Sequence, residues 1–425
     1  MLNYEQGHLK FEGESQLLSS FISDYQEPIY VYNSRHLSFR AKALKEALPA
    51  NTEIYYALKA NDHKDILRLF IQLGIGMDVV SLGELTWSLE QGCSPHKIIF
   101  SGIGKTEKEL VYALKVGVRQ INVESLPELR RISSLTQKLQ VKASIGLRVN
   151  PDVDVQTHPY IATGLKNNKF GIEVDALDEC DRILKSNSLL QFKGFSLHIG
   201  SQLVELSAFS EAYDKLIPVI SKWKSKGYQF ETLDAGGGLG IFYDRFDESQ
   251  EITLAREWGT RISKSWNGLS EKIIVEPGRW LVAHAGILIT RVEYIKETSH
   301  HTFAIVDTGM HHLLRPALYQ AQHRILPLVQ KKGIPSLQLQ NSNSLQSSTQ
   351  KLNLNNSSTQ APLVTTVRKY QVVGPICESS DVLGSQVELE NLCEGDFLAL
   401  IDVGAYGQVM SSDYNLRPKA KEIFL

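Results

Sequence analysis

The stretch IYYALKANDHKDILRLFIQLGIGMDVV, residues 54–80, decides the fold. Ile54 to Ala57 read as a short apolar strand. HKDILRLFIQLG (63–74) then places apolar residues at helical spacing, and GMDVV (76–80) turns strand-like again. A strand, a helix and another strand in so short a span imply that the two strands run parallel. The first strand ends on a lysine, Lys59. An ammonium ion at the mouth of a buried strand is costly to desolvate, so its place there asks for a chemical reason.

The unit recurs. KIIFS (97–101) precedes KTEKELVYALKVG, and QINVE (120–124) precedes LPELRRISSLTQKL. ASIGLRVN (143–150) leads through a loop to VDALDECDRILKS, and KGFSLHIG (193–200) to LSAFSEAYDKLIPVISKW. FETLDAGGG (230–238) precedes a loop and LAREWGTRISKSW, and KIIVEPG (272–278) closes the series. Eight strands alternating with helices fit an α/β fold of the TIM type, a closed (β/α)8 barrel. A doubly wound open sheet would show the same strand count. After residue 285 the texture changes to strands with short turns: ILITRVEYIKE, TFAIVDTG, VRKYQVVGPI, DFLALIDVG and AKEIFL. These predict a second, mostly antiparallel β domain. The expected division is 28–285 for the barrel and 1–27 plus 286–425 for the β domain. A Ser/Asn/Gln-rich insertion at about 338–362 is read as a surface segment.

Composition narrows the functional classes. The 425 residues carry a formal net charge of −2, with 42% hydrophobic and 22% charged residues. No nucleic-acid or anionic-membrane partner is implied. No apolar run approaches the roughly 18 to 20 residues of a membrane span. The first residues lack the basic start and apolar stretch of a secretory signal, and the four cysteines show no CxxC spacing. A cytoplasmic protein with reduced thiols is expected.

In such a barrel, chemistry gathers where the strands end. Lys59 follows strand one, Asp78 and Ser81 strand two, Ser101 strand three and Glu124 strand four. Asn150 ends strand five, His198 and Ser201 strand six, Gly236 to Gly238 strand seven, and Glu276 and Arg279 strand eight. Glycine lets backbone N–H groups approach an anion closely, so DAGGGLG (234–240) after strand seven reads as a phosphate cradle, or as a tight turn. A lysine opposite a phosphate cradle suits a cofactor bearing both an aldehyde and a phosphate, pyridoxal 5′-phosphate. Glu276 in EPGR would keep the pyridine nitrogen protonated. His198 in HIGSQ would lie against the ring, or be a core histidine satisfied by backbone.

YYALKAN, MDVVSLGEL, NVESLPELRRI, RVNPDVDVQTHPYIATGLKNNKFGI, HIGSQ, DAGGGLG, EPGR, RPALY, GPICESSD and VGAYG occur in that order. With SSDYNLRP near the end they run from about residue 28 to 425, broken only at the insertion. In these stretches the sequence resembles the fold-type III pyridoxal-phosphate decarboxylases, which have an alanine-racemase-like barrel, and among them the diaminopimelate decarboxylase family. That resemblance implies decarboxylation of meso-2,6-diaminopimelate to L-lysine and CO2. It implies that Lys59 carries the cofactor and that His198 stacks on its ring. Ser201, Gly238, Gly240 and the Glu276–Pro277–Gly278–Arg279 backbone would hold the phosphate, and Glu276 would meet the ring nitrogen. Arg279, Arg315, Tyr319, Glu378 and Tyr406 would bind substrate, with Tyr406 also touching the cofactor. Cys377 would return a proton to Cα, and with Glu378 would reach the site from the partner subunit of a homodimer. A simple diamine-forming decarboxylase would want only acidic groups at the substrate's far end, so Arg315 is the residue most diagnostic of substrate.

Three positions depart from the family pattern. His311-His312 stand where Asn-Asp is expected, and Leu82 and Ser380 where glycine is common. Adjacent histidines are poor chelators of one ion, and no metal is expected. The histidine pair keeps open a related decarboxylase acting on another amino acid or on a carrier-bound glutamyl group. A non-catalytic pyridoxal-phosphate carrier or regulatory homologue is the remaining alternative. Such a protein would have no need of Cys377 and Tyr406.

Overall fold

The computed structural model describes residues 2–153, 168–243, 247–331 and 367–425. The expected insertion at 338–362, and all of THPYIATGLK (157–166), lie outside the described residues. Eight parallel strands close into a barrel: Thr52–Ala57, Gly76–Val79, Ile98–Phe100, Gln120–Val123, Ala143–Arg148, Leu190–Ser196, Thr232–Asp234 and Lys272–Val275. The closure joins the eighth strand to the first, with Ile273 opposite Thr52 and Val275 opposite Ile54. The open-sheet alternative is thereby excluded.

Side-chain alternation sorts the barrel interior into layers. Tyr55, Ile99 and Ile274 form a small apolar plug of their own. Two residues further along their strands come Ala57, Ser101 and Glu276, so the layer above the plug is polar. Gly76 makes the plug possible, because a Cβ there would stand 2.5 Å from the Tyr55 ring. Outside the barrel the helices begin on side-chain caps. Ser81 accepts from Glu84 N–H and Ser125 from Glu128 N–H, and Thr106 and Glu109 form a capping box.

The second sheet is built on the long strand Gly286–Glu297. It pairs antiparallel with Phe397–Ile401, Thr302–Val306 and Ile29–Tyr32. Val367–Val373 and Val382–Glu390 extend the sheet. Strand Ile29–Tyr32 also pairs with Lys421–Phe424, so both ends of the chain meet in this sheet. We therefore place the start of the barrel domain after Tyr32, a few residues later than the sequence division at 28. The N-terminal hairpin, Leu2–Glu5 with His8–Phe11, is tied to the same domain by Leu9 N–H donating to Leu328 O at 3.0 Å. Among the described residues no helix is long and apolar enough to cross a membrane.

Candidate active site

A cavity of about 440 Å³ opens at the C-terminal rim of the barrel. Of the residues expected from sequence, Lys59, His198, Ser201, Gly238, Glu276, Gly278, Arg279, Tyr319 and Tyr406 line it. Lys59 sits in the turn Leu58–Ala60 just past the first strand, with 39% of its side chain exposed to this space. Its Nζ lies 3.4 Å from Asp78 Oδ2. Burial works against the ammonium, but Asp78, Tyr406 and Glu276 outweigh it and hold the pKa above the usual lysine value. His198 accepts from Gly237 N–H on Nδ1 at 3.2 Å, which leaves the ring proton on Nε2. Burial, then Arg148 and Lys59, drive its pKa well below the ordinary value, so the imidazole is neutral.

Glu276 and Asp78 line the cavity, and the fully buried Asp234 lies behind them. Burial first, then the charges of Asp234 and Asp78, push the Glu276 carboxyl well above the usual range, with Lys59 opposing. Burial also raises Asp234, to about 6. Such a pair titrates as a unit, not as two separate carboxyls.

The glycines do more than thin the chain. A Cβ on Gly236 would stand 2.1 Å from Leu197 O, on Gly237 2.0 Å from Glu276 O, and on Gly238 2.3 Å from Gly200 O. The loop after strand seven is therefore wedged between those after strands six and eight. Gly238 has φ +104°, the left-handed region that glycine favours. Gly240 is not in the cavity lining. Its N–H donates to Leu203 O at 2.9 Å, so it serves the loop's own packing. Pro277, without an N–H, contributes a carbonyl that accepts from Ala57 N–H at 3.1 Å.

At the cavity's edge two guanidinium groups meet over one phenol. Arg279 donates to Tyr243 Oη at 2.7 Å and to Ser201 Oγ at 3.2 Å. Arg315 is buried just outside the cavity lining, 4.6 Å from the Tyr243 ring centre and 2.7 Å from His323 Nε2. Tyr406 has φ +57°, and its N–H donates to Ala60 O at 2.7 Å. Asn61 Nδ2 donates to Gly404 O at 2.9 Å. The β domain is thus fastened to the turn that carries Lys59.

Cys377 and Glu378 lie elsewhere, both exposed and neither in this chain's cavity lining. Tyr414 Oη donates to Glu378 at 2.5 Å. The loop carrying them is pinned by Asp381, whose carboxylate accepts from Met310 N–H and Ile376 N–H at 2.6 and 2.7 Å. Of the unusual histidines, His312 uses both ring nitrogens, on Thr308 Oγ1 and Pro418 O at 2.9 and 2.8 Å. His311 packs against it with ring centres 3.7 Å apart. Neither ring belongs to the cavity lining. All four cysteines are free thiols.

Arg148 and Tyr243 escaped the sequence reading. Arg148 lines the cavity, pairs with Glu124 at 2.8 Å and donates to His198 O at 3.2 Å. It stands at the end of strand five, two residues before Asn150, so the strand-end rule could have found it. Tyr243 lies in a loop and has no such signal.

The model of the pyridoxal-dependent decarboxylase pyridoxal-binding domain matches residues 34–283. The diaminopimelate decarboxylase of Vibrio cholerae is 40% identical, over 96% of this chain and 89% of the relative. That of Pseudomonas aeruginosa is 39% identical, over 100% of this chain and 93% of the relative. The crystal structure of diaminopimelate decarboxylase from Helicobacter pylori complexed with L-lysine superposes with a TM-score of 0.84 at 36% identity, covering 96% of this chain and 93% of that one.

Proposed function

The chain belongs to the diaminopimelate decarboxylases, a family of pyridoxal-dependent decarboxylases, and from that premise we infer how its residues divide the reaction. The reaction is decarboxylation of meso-2,6-diaminopimelate to L-lysine and CO2 with pyridoxal 5′-phosphate as cofactor. The observation that carries the residue assignment is one cavity uniting the amine of Lys59, the imidazole of His198 and the carboxyl of Glu276, with bare backbone at Gly238 and Gly278 beside Ser201 and Arg279. These groups suit the cofactor. Asp78 Oδ1 is buried without a hydrogen-bond partner next to Lys59, an acceptor left open at the cavity.

When bound, pyridoxal phosphate supplies an aldehyde that joins the substrate amine and a ring that accepts the electron pair left by CO2. Lys59 would hold the aldehyde end through its amine, with Asp78 Oδ2 orienting the Nζ from 3.4 Å. His198, neutral and fixed by Gly237 N–H, would offer the ring a flat face without a competing charge. Glu276 would meet the ring nitrogen, and by giving its carboxyl proton to that nitrogen it would become the negative charge that keeps the ring protonated. Ser201 and the Gly238 and Gly278 backbone would hold the phosphate. Arg279 and Arg315, set by Tyr243, take the carboxylate at the substrate's far end, with Tyr319 and Tyr406 closing the sides.

Among the described residues of the lining, the acids are Asp78 and Glu276, on the side of Lys59 and not beside Arg315 to meet the far ammonium. Glu378 has the acid for that ammonium and Cys377 a thiol to return a proton to Cα, and both are exposed on the surface. We infer a homodimer in which each subunit's Cys377 and Glu378 complete its partner's site. The exposed Leu416 and Tyr414 near that loop favour a covered surface there. Free thiols favour work in the cytoplasm, which cell fractionation tests directly.

The assay is a panel of amino acids. Purified protein should be yellow and release L-lysine and CO2 from meso-diaminopimelate, with ornithine and arginine poor substrates. Preference for ornithine or arginine would overturn the role of Arg315.

A further inference from the structure

Beneath Glu276 a line of neutral side chains crosses the barrel. Thr232 Oγ1 donates to Gln120 Oε1 at 2.9 Å, and Gln120 Nε2 donates to Asn122 Oδ1 at 2.7 Å. Asn122 Nδ2 lies 3.1 Å from Asp234 Oδ2, 3.2 Å from Glu276 Oε1 and 3.2 Å from Ser101 Oγ. Gln120, Asn122, Thr232 and Asp234 are at most 1% exposed.

The direction of the line is set at one end. The Asn122 amide turns its nitrogen toward Asp234 Oδ2 and Glu276 Oε1, which both accept from it. That leaves Oδ1 for Gln120, whose amide must present Nε2, and Oε1 for the Thr232 hydroxyl. The fifth strand makes space for this pairing. A Cβ at Gly146 would stand 2.4 Å from Gln120 Nε2 and 2.5 Å from Asn122 Oδ1. An apolar layer would fill the same volume without any hydrogen bond to satisfy, and fully satisfied buried polar networks rigidify what they touch.

We propose that Asn122 is a positioning residue for the reaction: its amide, locked by Gln120 and Thr232, bridges Glu276 and Asp234 and so fixes the orientation and charge that Glu276 offers the ring nitrogen. This rests on Glu276 being that nitrogen's partner. The charged groups facing Glu276 are Asp234 from strand seven, Asp78 from strand two and Lys59 beyond strand one. Two of the three are acidic, so without the amide donors the floor would gather protons. The Asn122 hydrogen bond acts to lower the Asp234 pKa, against the larger effect of burial.

The test is a spectrophotometric pH titration of the holoenzyme, with steady-state kinetics and cofactor affinity measured on the same samples. Asn122→Asp replaces the donor nitrogen with a third acidic oxygen. It should lower kcat by roughly ten- to a hundredfold, the scale of a hydrogen bond to a charged group, with KM changed less than about twofold. It should also weaken cofactor binding and move the absorbance midpoint to higher pH. Thr232→Val, nearly isosteric and remote from the cavity, should move kcat and the midpoint in the same directions by less. If Asn122→Asp does not fold, Thr232→Val decides. Wild-type kcat, affinity and midpoint in the folded variants would overturn the proposal. Glu276→Gln separates the two readings. If it behaves as wild type, the Glu276 assignment fails; if it alone is impaired, the relay fails and that assignment stands.

Discussion

Gly237→Ala tests the wedge of loops that sets Glu276. The added Cβ would lie 2.0 Å from Glu276 O and 2.9 Å from its carbonyl carbon. Ordinary contact begins at about 3.4 Å, so the loops after strands seven and eight must part by about 1.4 Å. Gly237 has no left-handed φ, so crowding is the only new strain. Neither neighbour can yield as a side chain would, because both are backbone. Overpacking of this kind costs about 1–3 kcal/mol of stability. The catalytic loss should be larger in proportion. A displacement of about 1 Å at a reacting group can cost about a hundredfold in rate, and here both Glu276 and the N–H that orients His198 move. Kinetics, cofactor affinity by apoenzyme titration, and denaturant melting should be measured together. Gly83→Ala is the control: its Cβ meets only Ser81 Oγ, at 3.7 Å, within a helix, so it should be neutral or stabilising by up to about 1 kcal/mol. Rates and affinity for Gly237→Ala within about twofold of wild type would refute the wedge.

Lys59→Ala and Cys377→Ala should each remove most turnover. Mixed and allowed to exchange subunits, they should recover about a quarter of wild-type activity, because half the random dimers hold one intact site; no recovery would place Cys377 in its own chain's site. Arg315→Met should raise the KM for diaminopimelate at least about tenfold in substrate-saturation curves, leaving the cofactor spectrum unchanged. Buried His284 lies between Asp402 and Glu251, at 2.6 and 2.8 Å. Burial opposes its charge, the two carboxylates outweigh it, and its pKa is raised. Its contribution is therefore complete below the unfolded imidazole value and is lost as pH rises through the elevated folded value. Asp402 and Glu251 are lowered against burial by His284, so theirs is present above the ordinary carboxylate range and lost as pH falls through the depressed values. His284→Gln should cost about 3–5 kcal/mol at neutral pH by denaturant melting. It should also lack the wild type's stability loss on the alkaline side, and equal losses in both proteins would discount the imidazolium.

The barrel was legible because each short β-rich run is followed by a helical period, even where a strand carries polar residues such as Gln120 and Asn122. The strands were read too long at their C-terminal ends. FETLDAGGG, for example, contains only the strand Thr232–Asp234. The excess is chain that leaves the ladder to form the rim, and it still carries β-like sequence because its side chains line a cavity instead of solvent. Ile29–Tyr32 could not be assigned to the second sheet from sequence, since its partners begin more than 250 residues later. Strand ends revealed Lys59, His198 and Glu276, whereas the Tyr243 phenol that joins Arg279 to Arg315 depends on a fold-back that no local pattern encodes.

The link from Tyr406 N–H to Ala60 O, with Asn61 reaching Gly404 O, has a consequence for disassembly. Both bonds flank Lys59, proposed above to hold the cofactor, so the β domain cannot peel away without disturbing that lysine. Bleaching of the yellow colour should then precede loss of helical signal on gentle heating, making the holoenzyme its own gauge of domain separation.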